Sequence, residues 1–273
     1  MIKLGVRGHD YGKNSPESLF QKIREDGFES VQLALKKAIA GIDQFRDITP
    51  QTISDVQSAC EKTGIHIAVL GVYIDPSLVD DALREKNVAE FIGSLPFAKS
   101  LNADCIGTET TQMSRQPGTA RKDALSALYR SLWKIMPEAE NRGVTVAIEP
   151  VASHTVNTPE CAAEVLKTIA SPNLKVIFDP VNVLTAEEAP RQEALWDRFF
   201  NLLGDKIAAV HIKGIRLDSQ NQLVRSGFED SIVHYETIFS VLKSLPQDFS
   251  ILREGIQPQH AKEDFRFLSG LLA

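Results

Sequence analysis

The feature that most constrains this chain is a pair of short β-branched runs, each cut off by a carboxylate and a proline. The first is Val144-Thr145-Val146-Ala147-Ile148-Glu149-Pro150 and the second Lys175-Val176-Ile177-Phe178-Asp179-Pro180-Val181-Asn182, with a helical segment between them. An apolar run bounded by proline reads as a strand that stops there. Two more endings follow the same plan: Ile207-Ala208-Ala209-Val210-His211 and Phe249-Ser250-Ile251-Leu252-Arg253-Glu254-Gly255. The terminators are Glu149, Asp179, His211 and Glu254. If the strands are parallel and close into a barrel, these side chains converge on its C-terminal mouth, the face where barrel active sites sit. Two glutamates, an aspartate and an imidazole around one point make a site for a divalent metal.

Strand and helix signals alternate along the rest of the chain. Ile2–Arg7 reads as a first strand, and Ser15-Pro16-Glu17 as the cap and first turn of a helix stopping at Gly27. Phe28–Leu33, Ile65–Val72 and Cys105–Thr108 read as the next strands, and residues 34–48 as an insertion of unassigned structure. Helices are expected from Thr49-Pro50 to Thr63-Gly64, up to Leu101, over Ala120–Asn141, from Thr158-Pro159-Glu160, and over 190–204, 233–244 and 260–272. About eight strand signals, each followed by a helix signal, imply a parallel sheet built from βαβ units. The expected fold is α/β, a single (β/α)8 TIM barrel over residues 1–273. A doubly wound open sheet has less support, since no glycine fingerprint follows the first strand.

Composition narrows the partners. A net charge of −6 and an isoelectric point near 5.6 disfavour nucleic acid. No apolar run is long enough to span a bilayer, and no leader pattern stands at the N-terminus. The three cysteines, Cys60, Cys105 and Cys161, lack paired spacing, which predicts reduced thiols and a cytoplasmic location.

The four strand endings, with Gly27-Phe28-Glu29-Ser30-Val31-Gln32-Leu33 and Gly227-Phe228-Glu229-Asp230-Ser231-Ile232, resemble the sugar phosphate isomerase/epimerase family with the xylose isomerase-like TIM barrel. The resemblance implies one divalent ion (Mn²⁺, Mg²⁺, Co²⁺ or Zn²⁺) on Glu149, Asp179, His211 and Glu254. It implies isomerisation or epimerisation of a sugar or sugar derivative by proton transfer through a metal-stabilised enediolate, with Glu149 and Glu254 as the acid–base pair. The chain departs from the family in carrying Gln32 where many members have glutamate. Many ketose epimerases have histidine where this chain has Asn182, and place an arginine six residues after the metal histidine, where Arg216 lies five after His211.

Further mouth residues are expected from their places after strands. Asn182, Lys213, Arg216, Glu109, Arg7 and His9 are candidate substrate contacts, with Asp10 in the same loop as Arg7 and His9. His154 is a weaker candidate. His66 starts a strand and so faces the bottom, where a structural role is expected. The segment from Lys213 to Asp230 is long for a βα loop and reads as a binding loop that closes over substrate. A homodimer is compatible with such barrels, though no interface is legible. Two rival functions share the scaffold: a lyase of the keto-inositol dehydratase type, and a non-catalytic sugar-binding barrel. A multi-zinc DNA-repair endonuclease on a related barrel would need more histidines near the third and fourth strand ends, where this chain has Tyr73 and Glu109.

Overall fold

The computed structural model describes residues 1–273. Eight parallel strands close into a barrel: β1 (Ile2–Arg7), β2 (Ser30–Leu33), β3 (His66–Gly71), β4 (Cys105–Glu109), β5 (Val146–Glu149), β6 (Leu174–Phe178), β7 (Ile207–Ile212) and β10 (Phe249–Arg253). The last strand pairs with both β7 and β1, so Leu4 lies opposite Ile251 and Val6 opposite Arg253. The helices are α1 (Pro16–Glu25), α2 (Leu35–Ala38), α3 (Pro50–Thr63), α4 (Asp81–Ser100), α5 (Arg121–Arg142), α6 (Pro159–Ile169), α7 (Gln192–Leu203), α8 (Tyr235–Leu242) and α9 (Ala261–Leu272).

Local chemistry sets these boundaries. Ser15, Thr49, Asp80 and Thr158 each accept a backbone N–H in the first turn of α1, α3, α4 and α6, satisfying donors a helix start leaves open. Gly64 and Gly143 end α3 and α5 in the left-handed conformation. Inside the barrel lie Ala68, Val69, Cys105, Ala147, Ile177, Ala208, Ala209 and Leu252, a compact layer rich in small side chains. A larger apolar layer packs the outward strand faces against the helices. The eight expected strands and the flanking helices are present, and the three cysteines are free thiols. His66 lies at the bottom, its Nε2 2.7 Å from Asp104 Oδ2.

Two places differ from the sequence reading. The second strand starts at Ser30, because Phe28 leaves the sheet to pack edge-on against Phe265 of α9. The segment after β7 is not an irregular loop. It folds into an antiparallel hairpin, β8 (Gly214–Leu217) and β9 (Leu223–Ser226). The hairpin is pinned by Phe228, whose ring stacks on Phe267 of α9 at 4.7 Å and lies 4.5 Å from the Arg253 guanidinium. Residues 34–48 hold α2 and a single turn of 3₁₀ helix at Phe45–Asp47.

Candidate metal centre

Glu149 and Asp179 are delivered by strands that cannot continue. Pro150 follows Glu149 and Pro180 follows Asp179, and proline cannot donate to a ladder. Asp179 uses its two oxygens differently. Its Oδ1 accepts the N–H groups of Val181 (2.8 Å) and Asn182 (2.9 Å), which fixes the turn and the carboxylate plane. Its Oδ2 is turned into the barrel mouth, where it meets the Lys213 ammonium at 2.7 Å.

Glu149, Asp179 and His211 are buried, and one potential ligand atom from each lies within 4.8 Å of the others. His211 Nδ1 is 3.1 Å from Glu149 Oε2 and 3.3 Å from Glu254 Oε1, yet neither ring nitrogen makes a hydrogen bond of acceptable geometry. Nδ1 is held by charge between two carboxylates, while Nε2 has no partner, and a buried polar atom left so is costly unless something else uses it. The donor set of this cluster, two carboxylates and one imidazole, suits a hard or borderline divalent cation. Glu254, expected as a fourth ligand, lies outside the cluster and meets it at His211 Nδ1.

Glu254 is shared among cations. Lys213 Nζ lies 2.9 Å from its Oε2, and Arg7 Nη1 lies 3.4 Å from its Oε1. Burial opposes ionisation of Glu254, but Lys213, His211 and Arg7 together hold its carboxyl well below the usual range. Burial likewise opposes the charge on His211, but Glu149 and Glu254 outweigh it and lift the imidazole to about 9. Lys213 is raised above its ordinary value by Asp179 and Glu254 in spite of its burial.

The remaining predicted residues fall in three groups. Asn182 reaches the centre and donates to Glu149 Oε1. Arg7 clamps Asp10 through Nε (3.1 Å) and Nη2 (2.7 Å) and also faces Glu254. Glu109 ends β4 beside Glu149 in the β4–β5 register, its Oε2 3.7 Å from His154 Nδ1. Burial, then repulsion from Glu149 and Glu254, raises its carboxyl to about 7. His9 is largely buried edge-on to Tyr73, and burial and Arg7 depress its imidazole to about 4. Lys213 sits among the ligand carboxylates rather than in a solvated loop. Arg216 is not at the centre: in the hairpin alternation Ile215 is buried and Arg216 is exposed.

Sequence reasoning missed Tyr73, Lys37 and Arg225. Tyr73 accepts a hydrogen bond from Gln32, and the Lys37 ammonium stands 3.8 Å over its ring. The signal was the position of Tyr73, two residues beyond β3 at the same mouth. Arg225 comes from β9, and its Nη1 packs so closely on Gly255 that a Cβ there would lie 2.3 Å from it.

A closed eight-stranded parallel barrel with acidic and imidazole side chains gathered at its C-terminal mouth defines the class: a (β/α)8 barrel with a candidate divalent-metal centre. The chain belongs to the xylose isomerase-like TIM barrel family, whose sequence model matches residues 20–271. No curated protein matches it in sequence. Among solved structures it resembles a D-tagatose 3-epimerase-like protein (TM-score 0.76, 18% identity, covering 99% of this chain and 98% of that one). It also resembles the 3-keto-D-glucoside 4-epimerase YcjR from E. coli (TM-score 0.73, 18% identity, covering 99% and 100%). A third is the IolI protein with a bound zinc atom (TM-score 0.74, 15% identity, covering 99% and 98%).

Proposed function

We propose that this barrel is a divalent-metal-dependent isomerase or epimerase of a small sugar or sugar derivative, working by proton transfer next to a carbonyl. The observation that carries the reading is the His211 imidazole, held between the Glu149 and Glu254 carboxylates at 3.1 and 3.3 Å with no hydrogen bond of its own. Glu149, Asp179, His211 and Glu254 would hold the ion, one of Mn²⁺, Mg²⁺, Co²⁺ or Zn²⁺. The ion would supply Lewis-acid polarisation of the substrate carbonyl. The epimerase names of the similar structures and the zinc of the IolI protein support the same reading.

The chain's own groups supply the proton chemistry. Glu149 and Glu254 both reach the centre at His211 Nδ1, and epimerisation would need them on opposite faces of one substrate carbon. One removes the α-proton; the C–H bonding pair becomes a carbon–carbon π bond as the carbonyl π pair moves onto oxygen, and both shifts reverse on reprotonation. The other returns a proton to that carbon or its neighbour. Glu254 stays ionised under the cations around it, and serving as the base would require the substrate to draw Lys213 or Arg7 away from it. Asn182 fixes the Glu149 carboxylate by its amide hydrogen bond. Arg7 and Glu109 would meet substrate hydroxyls at the rim.

Solvent-deuterium incorporation into a panel of ketoses and keto-inositols, read beside metal content, tests the proposal. Wild type should carry about one ion per chain and exchange at least one ketose. Glu254→Gln and Glu149→Gln should lower exchange roughly 10²–10⁴-fold at saturating metal. Exchange accompanied by loss of water from a keto-inositol would assign the lyase instead. A protein that binds no divalent ion and exchanges nothing would leave only the sugar-binding barrel.

A further inference from the structure

In (β/α)8 barrels a substrate phosphate is commonly held by the loops after the seventh and eighth barrel strands, beside the N-terminus of a short extra helix. Here those strands are β7 and β10, and the short helix is the 3₁₀ turn Pro258–His260. That cradle is filled from within. The Asp10 carboxylate, from the loop after β1, accepts the N–H groups of Gly255 (2.7 Å) and Ile256 (3.3 Å) through one oxygen. Arg7 clamps the same carboxylate with two nitrogens. On the β7 side, the Lys213 N–H donates to the Tyr235 hydroxyl (3.2 Å) and the Ile215 N–H to the Ser231 hydroxyl (3.3 Å). A carboxylate that takes two backbone N–H groups and a guanidinium stands where a bound anion would stand.

The cavity beside the mouth has a matching character. It measures about 550 Å³ and opens next to Lys213 and Glu254, between the hairpin and α9. Lys213 is paired with Glu254 (2.9 Å) and Arg253 with Asp264 (2.7 Å). His260 lies 3.1 Å from Glu263, and the remaining wall charges are Arg225 and Glu229. Three cations, Lys213, Arg225 and Arg253, face four carboxylates, Glu229, Glu254, Glu263 and Asp264, so the walls present no field that would attract a dianion. Donors and acceptors in alternation suit hydroxyl groups.

We propose that the substrate is an uncharged, unphosphorylated polyhydroxy carbonyl compound whose hydroxyl chain extends into this cavity, and that Asp10 sets this choice as a built-in anion. The proposal rests on the proton-transfer reading of the same centre. Asp10 is then a specificity-determining residue, and through Arg7 it also positions Glu254.

Calorimetric titration of inorganic phosphate into wild type, Asp10→Ala and Asp10→Asn tests it. Alanine frees both N–H groups and Arg7, whereas asparagine keeps a carbonyl oxygen on them. Asp10→Ala should bind phosphate at least about tenfold tighter than wild type, and Asp10→Asn should stay near wild type. The titrations are run after chelation and dialysis, so that phosphate held by a metal ion does not enter the comparison. A folded Asp10→Ala without that gain, or a wild type that binds as tightly, overturns the proposal. A second arm needs no variant: deuterium incorporation by wild type from a ketose and from its terminal phosphate ester. Exchange of the free ketose alone is expected. Equal or faster exchange of the ester overturns the proposal and leaves the proton-transfer reading standing. Exchange with neither compound nor any other ketose overturns that reading, and the phosphate titration still decides the role of Asp10.

Discussion

Lys213 Nζ lies 2.7 Å from Asp179 Oδ2, so a buried ammonium sits among the very carboxylates that would hold a cation. Removing one partner of a buried pair leaves the other charged and unsolvated, at a cost of about 3–5 kcal/mol. Lys213→Met should therefore lower the unfolding free energy of the metal-free protein, read from urea denaturation, by that amount. Added Mn²⁺ should recover more stability in the variant than in wild type, because the dication takes over the lost positive charge. Equal gains on Mn²⁺ addition in the two proteins would refute this.

Metal binding should release a proton. Burial would depress His211, but Glu149 and Glu254 lift it to about 9, so at pH 7 the metal-free protein holds imidazolium. A ligand must be neutral imidazole. Apparent affinity should rise by about tenfold per pH unit until the folded value is passed. In the metal-free protein the sign is opposite: this ion pairing stabilises fully below about 6.5 and is lost as pH rises through about 9. Calorimetry at pH 7 in two buffers of different ionisation enthalpy should report about one proton released per ion, and heats independent of buffer would sink the assignment.

Glu109 titrates in the opposite sense to a salt-bridged acid. Its folded carboxyl is raised to about 7, by burial and by Glu149 and Glu254, from an ordinary 4.5. The folded chain thus holds a proton that the unfolded chain has released, and stability falls as pH rises between those values. Glu109→Gln should flatten that part of the pH–stability curve of the metal-free protein. Parallel curves for variant and wild type would contradict the assignment.

Gly214 is where the hairpin leaves β7. A Cβ there would lie 2.3 Å from the Gly227 carbonyl oxygen, a backbone atom that cannot swing aside. Gly214→Ala should destabilise the hairpin by about 1–3 kcal/mol. Trypsin should then cut faster after Arg216 and Arg225, with the barrel intact by circular dichroism. An unchanged digestion rate would show that the hairpin tolerates the shift.

The barrel was legible because strand ends are punctuated: Pro150, Pro180 and Gly255 each mark where a ladder stops, and the residue before each is the one aimed at the mouth. The hairpin was not, because Gly214–Leu217 and Leu223–Ser226 are four-residue strands with a charge in the middle, a pattern shared with solvated loops. Lys213 and Arg216 looked alike in sequence. Only the register of β8 sends one into the ligand shell and the other to solvent. Asp10 could not be singled out from Arg7 and His9, since its partners, Gly255 and Ile256, are some 245 residues away in the chain. Contacts that close a barrel are invisible to local pattern.

The order of the strands carries a consequence for synthesis. A chain emerging from a ribosome completes β5 and β6 before β7, so Glu149 and Asp179 are synthesised before any cation of the centre except Arg7. His211, near the end of β7, and Lys213, just beyond it, then arrive two residues apart. Glu254, and the loop that Asp10 clasps, come last. The nascent half-barrel is thus a structure with an unpaid pair of acids at its open edge, and the charges that settle it are encoded downstream.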